Sequence, residues 1–323
     1  MRAIRFEQTG GPEVLQLVEV ETPSPGPGQI LIRHQAVGVN FIDTYHRTGL
    51  YPVKLPSGLG GEAAGVVEAV GDGVTRFQPG DLAAYAGGVM GAYAEYAVVA
   101  AERAVKPPAG VDARLAAAAL LKGMTAEFLV RRCAPIQAGQ PVLIHAAAGG
   151  VGQILVQWAK VIGAEVIATV GSQDKAERAR ALGAEHVILY REQDVAAEVK
   201  RITGGKGVPV AYDSVGKATF EGTLGSMARR GVFVSFGNAS GPAPPVDPIR
   251  LMRGGSLFFT RPTMFDYVAT VEELDDSAGA LFGLMAAGRI KVEIGQEFPL
   301  ADARRAHEAL EARETVGASL LIP

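Results

Sequence analysis

Hydrophobic positions change their rhythm near Leu115, and the change separates two kinds of structure. Before it, short apolar runs (Ile30-Leu31-Ile32, Gly65 to Val70, Tyr93 to Val99) are broken by clusters of proline, glycine and aspartate. Thr22-Pro23-Ser24-Pro25-Gly26-Pro27-Gly28, Gly71-Asp72-Gly73 and Gln78-Pro79-Gly80-Asp81 are turn or loop signals. Short strands divided by such turns predict a mostly β, barrel-like unit.

Past Leu115, apolar strands alternate with helical periods. Pro141 to Ala146 reads as a strand, and a helix from Val151 to Ile162 carries Ile154, Leu155, Trp158 and Ile162. Further β-type runs are Val166 to Val170, His186 to Tyr190, Val208 to Tyr212, Val232 to Phe236 and Leu257 to Thr260. Helical stretches Lys175 to Leu182, Val195 to Ile202 and Phe220 to Met227 separate most of them. A strand apolar at nearly every position is covered on both faces, as in a parallel sheet flanked by helices. Six in βαβ succession predict an α/β fold with a doubly wound, six-stranded parallel Rossmann sheet. The tail from Leu274 to Pro323 reads as one or two helices and a last strand, Ser319 to Ile322, returning to the β unit. The expected division is 1–122 with 265–323 for the β unit and 123–264 for the dinucleotide-binding unit.

Composition narrows the function classes. A chain of 323 residues, 48% hydrophobic and 20% charged, is globular and needs no disulfide or metal to hold its core. Its one cysteine, Cys133, cannot form an intramolecular bridge and fits a reducing, cytoplasmic setting. The balance of 31 basic and 34 acidic residues, net charge −3, argues against nucleic-acid binding. The start has no secretory pattern. No stretch of about 18 uncharged apolar residues predicts a membrane span; Arg114 to Leu121 comes nearest, and Lys122 ends it.

The chemistry concentrates in Ala147-Ala148-Gly149-Gly150-Val151-Gly152, directly after the strand Val142 to Ala146. This is the glycine-rich dinucleotide pattern with alanine in the first place. Gly149 lets the backbone approach a pyrophosphate, Gly152 lets the helix pack close to the strand, and the helix N-terminus offers free N–H groups. An NAD site would place an acid about 20 residues on. Ser172 stands there, with Gly171 before it, Lys175 beyond, and Tyr190 at the end of the third strand. That set suits a 2′-phosphate and hence NADPH. Asp174 is the complication: turned inward it would favour NADH, whereas as a helix cap it is neutral to the choice. Two more loops leave strand ends on the same edge, Asp213-Ser214-Val215-Gly216 and Phe236-Gly237-Asn238-Ala239-Ser240-Gly241, and should flank the cofactor.

Gly139-Gln140, Leu143, Ala147-Ala148-Gly149-Gly150, Gly152, Gln157 and Lys160 reproduce the spacing of the quinone oxidoreductase and zeta-crystallin signature. The chain resembles this family, a zinc-free branch of the medium-chain dehydrogenase/reductases, over its whole length. Gly11 to Leu15, Gly38 to Asp43, Gly60 to Gly65, Gly80-Asp81, Lys122 to Ala126 and Ala306-His307 continue the likeness. The resemblance implies a GroES-like catalytic domain beside the Rossmann domain, NADPH as cofactor, a quinone as substrate in an interdomain cleft, and a homodimer joined through Rossmann edge strands. Leu257 to Thr260 would supply such an edge. By the same resemblance Thr125 begins the link to the cofactor domain, and Arg313 reaches the adenosine phosphate.

Zinc alcohol dehydrogenases of that superfamily carry cysteine at the position of Asn40, histidine at that of Gly61, and a four-cysteine lobe absent here. One cysteine excludes the structural zinc. Asp43, His46 and Glu62 leave a catalytic set open; the simpler reading is that Glu62 bonds locally and His46 lies at a surface or cleft. With those ligands missing, alcohol oxidation is disfavoured and an electron-poor conjugated carbonyl becomes the easier acceptor. Asn40, Tyr45 and Tyr51 are the candidate hydrogen-bond donors to its developing oxyanion, each with simple packing as its other reading. Lys122 reads as solvated, with a proton donor as its other reading, and Cys133 as an inert packed thiol. An alkenal or enone reductase, or a non-catalytic crystallin-like or RNA-binding protein, are the alternatives. The acidic balance and lack of basic–aromatic interleaving oppose RNA.

Overall fold

The computed structural model describes residues 1–88 and 90–323 and resolves the apolar strands of the second half into one parallel sheet. Its strands are β1 (Pro141–Ile144), β2 (Glu165–Val170), β3 (His186–Leu189), β4 (Val208–Asp213), β5 (Met227–Ser235) and β6 (Phe258–Thr260). Their order is β3-β2-β1-β4-β5-β6, so the winding reverses beside β1. Helices α1 (Gly150–Ile162), α2 (Gln173–Ala181), α3 (Val195–Ile202) and α4 (Phe220–Ser226) connect them. Leu143, Ile167, Ile188, Ala211 and Phe233, one from each of five strands, meet Val199 of α3 and Phe220 of α4 in one core. The fold is the doubly wound α/β class, with boundaries moved by a few residues. β1 ends at Ile144, because His145 and Ala146 already turn into the glycine loop, Ala146 at φ +51°. β5 begins at Met227, five residues before the apolar run at Val232, and takes in Arg229 and Arg230.

The first part of the chain and its tail form a separate β unit. Two compact units result: Met1–Lys122 with Val268–Ala286 and Val292–Pro323, and Gly123–Tyr267 with Ala287–Lys291. In the β unit the eleven-residue strand Gln29–Val39 pairs antiparallel with Glu62–Val70, Tyr96–Ala100 and the last strand, Ala318–Ile322. Ile30, Ile32, Val37, Ala63, Val67, Tyr85 and Leu321 face inward as its core. The run read as a strand from Tyr93 starts only at Tyr96, because Tyr93 donates its N–H to Leu59 O (2.9 Å) in a loop. An unanticipated helix, Phe41–Thr48, interrupts the strands; Gly49 closes it in the left-handed region (φ +81°). Among the described residues no helix is long and apolar enough to cross a membrane.

Candidate functional site

The glycine loop sits at the carboxyl end of β1, where the sheet winding reverses. His145 N–H bonds Tyr212 O of β4 (3.0 Å) and Ala147 N–H bonds Thr169 O of β2 (3.2 Å), so the loop rises between its neighbours. Gly149 caps α1 with extended backbone and no side chain over the helix end, which leaves the first N–H groups open to an anion. A Cβ at Gly152 would lie 2.2 Å from Ala146 O and 2.8 Å from Ala147 Cα. A Cβ at Gly149 would come within 3.2 Å of Ala146 O. Gly152 is thus required by backbone approach and Gly149 is tightly placed, and the cradle fits a dinucleotide pyrophosphate. Ala148, Gly150 and Val151 complete the loop and the first turn of α1.

Beneath the loop lies a fully buried polar network. His145 Nδ1 meets Thr169 Oγ1 (2.9 Å) and its Nε2 meets Thr223 Oγ1 (2.9 Å). Thr219 and Thr223 hydroxyls lie 2.7 and 3.0 Å from Asp213 Oδ2, while Asp213 Oδ1 accepts the N–H groups of Val215 and Gly216. Burial lowers the His145 pKa, partly opposed by the Asp213 carboxylate. This network shapes the Ser214 turn. The Phe236–Gly241 loop closes on it: Phe236 N–H bonds Asp213 O (2.8 Å), and a Cβ at Gly237 would strike Ser214 O at 2.4 Å. Asn238 O receives Gly241 N–H (2.9 Å). Ser214, Phe236, Gly237 and Asn238 therefore form one wall at the strand ends.

At the end of β2, Gly171 lies under Tyr190: a Cβ there would be 2.7 Å from the phenol oxygen and 3.4 Å from Arg191 Nε. Ser172 is the N-cap of α2, and Asp174 is exposed in its first turn, so Asp174 does not itself cap the helix. Lys175 follows on the same turn, half-buried. Arg191 is an addition to the expected set. One position past Tyr190, it carries no motif to mark it. Thr125 lies in the helix Ala113–Phe128, its hydroxyl 3.9 Å from Met264 Sδ. Cys133 is half-buried and its thiol pKa is raised by that burial, as an inert thiol requires.

In the β unit, Asn40 caps the helix Phe41–Thr48, on which Tyr45 is carried; Tyr51 N–H returns to Tyr45 O (3.0 Å). The two rings stand edge to face with centroids 5.3 Å apart, and the His46 ring lies 5.7 Å from Tyr51. Burial lowers the His46 pKa. Arg313 lies past the helix Ala303–Glu311 in the left-handed region (φ +61°), exposed.

Two expectations are corrected here. Lys122 is buried, its ammonium 3.1 Å from Glu62 Oε2. Glu62 does not bond locally either: it is 0% exposed, and it accepts Asn40 Nδ2–H (2.8 Å) and Leu121 N–H (2.7 Å) as well. Sequence neighbours could not reveal this, since the partners lie 22 and about 60 residues away. Gly38 makes it sterically feasible, because a Cβ there would sit 2.2 Å from Glu62 Oε2 and 2.7 Å from Ala117 O.

Two family models match the chain: "Alcohol dehydrogenase GroES-like domain" over residues 26–109 and "Zinc-binding dehydrogenase" over 150–276. A quinone oxidoreductase of Pseudomonas aeruginosa is 50% identical over 100% of this chain and 99% of its own. The chain belongs to the quinone oxidoreductase family. The solved structure of the Escherichia coli quinone oxidoreductase, a complex with NADPH, superposes with a TM-score of 0.98 at 49% identity, covering both chains fully. The family also reaches a 2-haloacrylate reductase of Burkholderia, 44% identical over 98% of each chain. The second model's description implies zinc, and the residues here do not fit it. Glu62 is engaged by three N–H donors, one of them a cation, and Asp43 accepts two more donors. Among the described residues no three His, Cys, Asp or Glu side chains are grouped to hold a metal.

Proposed function

We propose that this enzyme reduces quinones with NADPH, without a metal. The observation that carries the reading is the glycine cradle with its sterically obligatory Gly152, joined on the neighbouring strand ends by Ser172, Lys175, Tyr190 and Arg191 in place of an inward-facing acid. The NADPH complex of the Escherichia coli relative supports it. Gly149 to Gly152 would take the pyrophosphate, with Ser214, Phe236, Gly237 and Asn238 flanking it and Thr125 at the nicotinamide side. Ser172, Lys175, Tyr190 and Arg191 would take the 2′-phosphate. Bound NADPH supplies the hydride. Asn40, Tyr45 and Tyr51 would hydrogen-bond the acceptor, whose reduced oxyanion then takes one proton, so that quinone, NADPH and H⁺ give hydroquinone and NADP⁺.

The coenzyme assignment is testable on its own. Lys175→Ala should raise the NADPH Kd ~10-fold and leave NADH within about twofold, because only NADPH carries the extra dianion. Arg191→Ala should act in the same direction. Isothermal titration with both coenzymes measures this, and equal losses would place the 2′-phosphate elsewhere. A panel of quinones, α,β-unsaturated acids and aldehydes, followed by loss of NADPH absorbance, tests the acceptor. Turnover confined to activated alkenes would favour the second reading, which the 2-haloacrylate reductase relative supports.

The protein is proposed to act as a cytoplasmic homodimer. The sheet edge β6 exposes Phe258 (62%) beside Ile249 (52%) and Met252 (62%) of the helix Pro248–Arg253. An apolar unpaired edge of this kind invites a second copy. Phe258→Asp should turn a dimer into a monomer in sedimentation velocity; an unchanged sedimentation coefficient would refute this interface.

A further inference from the structure

Asp43 is buried on the helix Phe41–Thr48, yet among the described residues it belongs to no group of side chains that could hold a metal. Its Oδ2 accepts Asn40 N–H (2.8 Å) and the Tyr93 hydroxyl (2.9 Å). Tyr93 Oη meets His307 Nε2 (3.0 Å), and His307 Nδ1 faces Arg47 Nη1 (3.1 Å). Arg47, 1% exposed, also bonds Gly10 O and Glu311. The donors fix the polarity of this chain. Arginine can only donate, so His307 Nδ1 accepts and Nε2 carries the hydrogen. That hydrogen goes to Tyr93 Oη, and the Tyr93 hydrogen goes to Asp43. Along Arg47–His307–Tyr93 the hydrogens therefore run toward Asp43, which is joined in this way to His307 in the last helix.

We propose that Asp43 is a positioning residue for acceptor reduction: its carboxylate ties the Asn40 cap to the Tyr93–His307–Arg47 chain and so fixes the helix that presents Tyr45 and, behind it, Tyr51. This rests on the reading that Asn40, Tyr45 and Tyr51 face the acceptor. Asn40 is held twice, since Glu62 grips its amide while Asp43 grips its backbone. The charged groups that face Asp43 are Lys122 and Glu62, from the helix Ala113–Phe128 and the strand Glu62–Val70. Lys122 favours the carboxylate and Glu62 opposes it. His307 and Arg47 act on it through Tyr93; burial and Arg47 hold His307 down to about 3, so it stays neutral. Burial raises Asp43 to about 7, against the hydrogen bonds of Asn40 and Tyr93. The clamp therefore tightens as pH rises through neutrality, because an ionised acceptor makes the stronger hydrogen bonds. Stability moves the opposite way. With its folded pKa raised, Asp43 contributes stability that is present below the ordinary carboxylate range and lost as pH rises through about 7.

The test compares wild type, Asp43→Asn and Asp43→Leu, using menadione as acceptor and 3-fluorotyrosine labelling for ¹⁹F NMR. In wild type the Tyr45 and Tyr51 resonances, assigned with Tyr45→Phe, should shift across neutral pH, and the menadione KM should fall ~10-fold over the same range. In Asp43→Asn both should be flat at the acid-side values, with the NADPH Kd unchanged. Asp43→Leu, if it folds, should lie further toward weak acceptor binding. Wild-type pH behaviour in Asp43→Asn would overturn the proposal, as would an equal loss of NADPH affinity. If menadione is not reduced by wild type, the acceptor reading fails, while the ¹⁹F shift still decides the role of Asp43.

Discussion

Gly152→Val is expected to abolish NADPH turnover at ordinary coenzyme concentrations. The new Cβ would start 2.2 Å from Ala146 O and 2.8 Å from Ala147 Cα, both backbone atoms that cannot rotate away. α1 would have to move off β1, and its N–H groups would leave the phosphate position. Charge-assisted hydrogen bonds contribute about 1.5–3 kcal/mol each, so losing two raises the NADPH Kd at least ~100-fold. Overpacking alone costs about 1–3 kcal/mol of stability, which a two-unit protein of this size tolerates. Calorimetric titration beside far-ultraviolet circular dichroism separates the effects. A folded variant that binds NADPH within about threefold of wild type would show that α1 is not the phosphate seat.

Lys122→Met should cost more stability than any other single change in the β unit. It removes the ammonium 3.1 Å from Glu62 Oε2 and leaves a carboxylate that is 0% exposed with only two amide donors. Stripping one partner from a buried ion pair typically costs about 3–5 kcal/mol, because the remaining charge cannot be solvated. Glu62→Gln combined with Lys122→Met should recover most of the loss, since no charge then remains to be buried. Urea unfolding of the four proteins gives the coupling. A Lys122→Met variant within about 1 kcal/mol of wild type would mean that water reaches Glu62.

The parallel sheet was legible because its strands are apolar at nearly every position, a pattern that only two-sided burial permits. The cradle was legible for a related reason: Gly149 and Gly152 have no side chain, and they stand between a strand and a helix. The helix Phe41–Thr48 was not, since eight residues between two strands hold too few turns to show a period. The buried polar groups Lys122, Glu62, Asp43 and His307 were hidden more deeply. A lysine reads as solvated until its carboxylate arrives from a distant strand, and Asp43 meets Tyr93, and Tyr93 meets His307 of the last helix, only across 50 and 214 residues of sequence. Arg191, proposed above for the 2′-phosphate, lay outside the expected set because nothing in a lone arginine after a strand marks it out from a solvated side chain.

Lys122, Glu62 and Asn40 form a buried ion pair with an amide attached, so the proposed reduction should proceed with no ion present. The direct measurement is NADPH-dependent quinone reduction by protein stripped with a strong chelator and checked by elemental analysis, using NADPH deuterated at the transferred position. Undiminished turnover with a primary isotope effect is the predicted result. Activity that disappears with the metal and returns on adding zinc would contradict it.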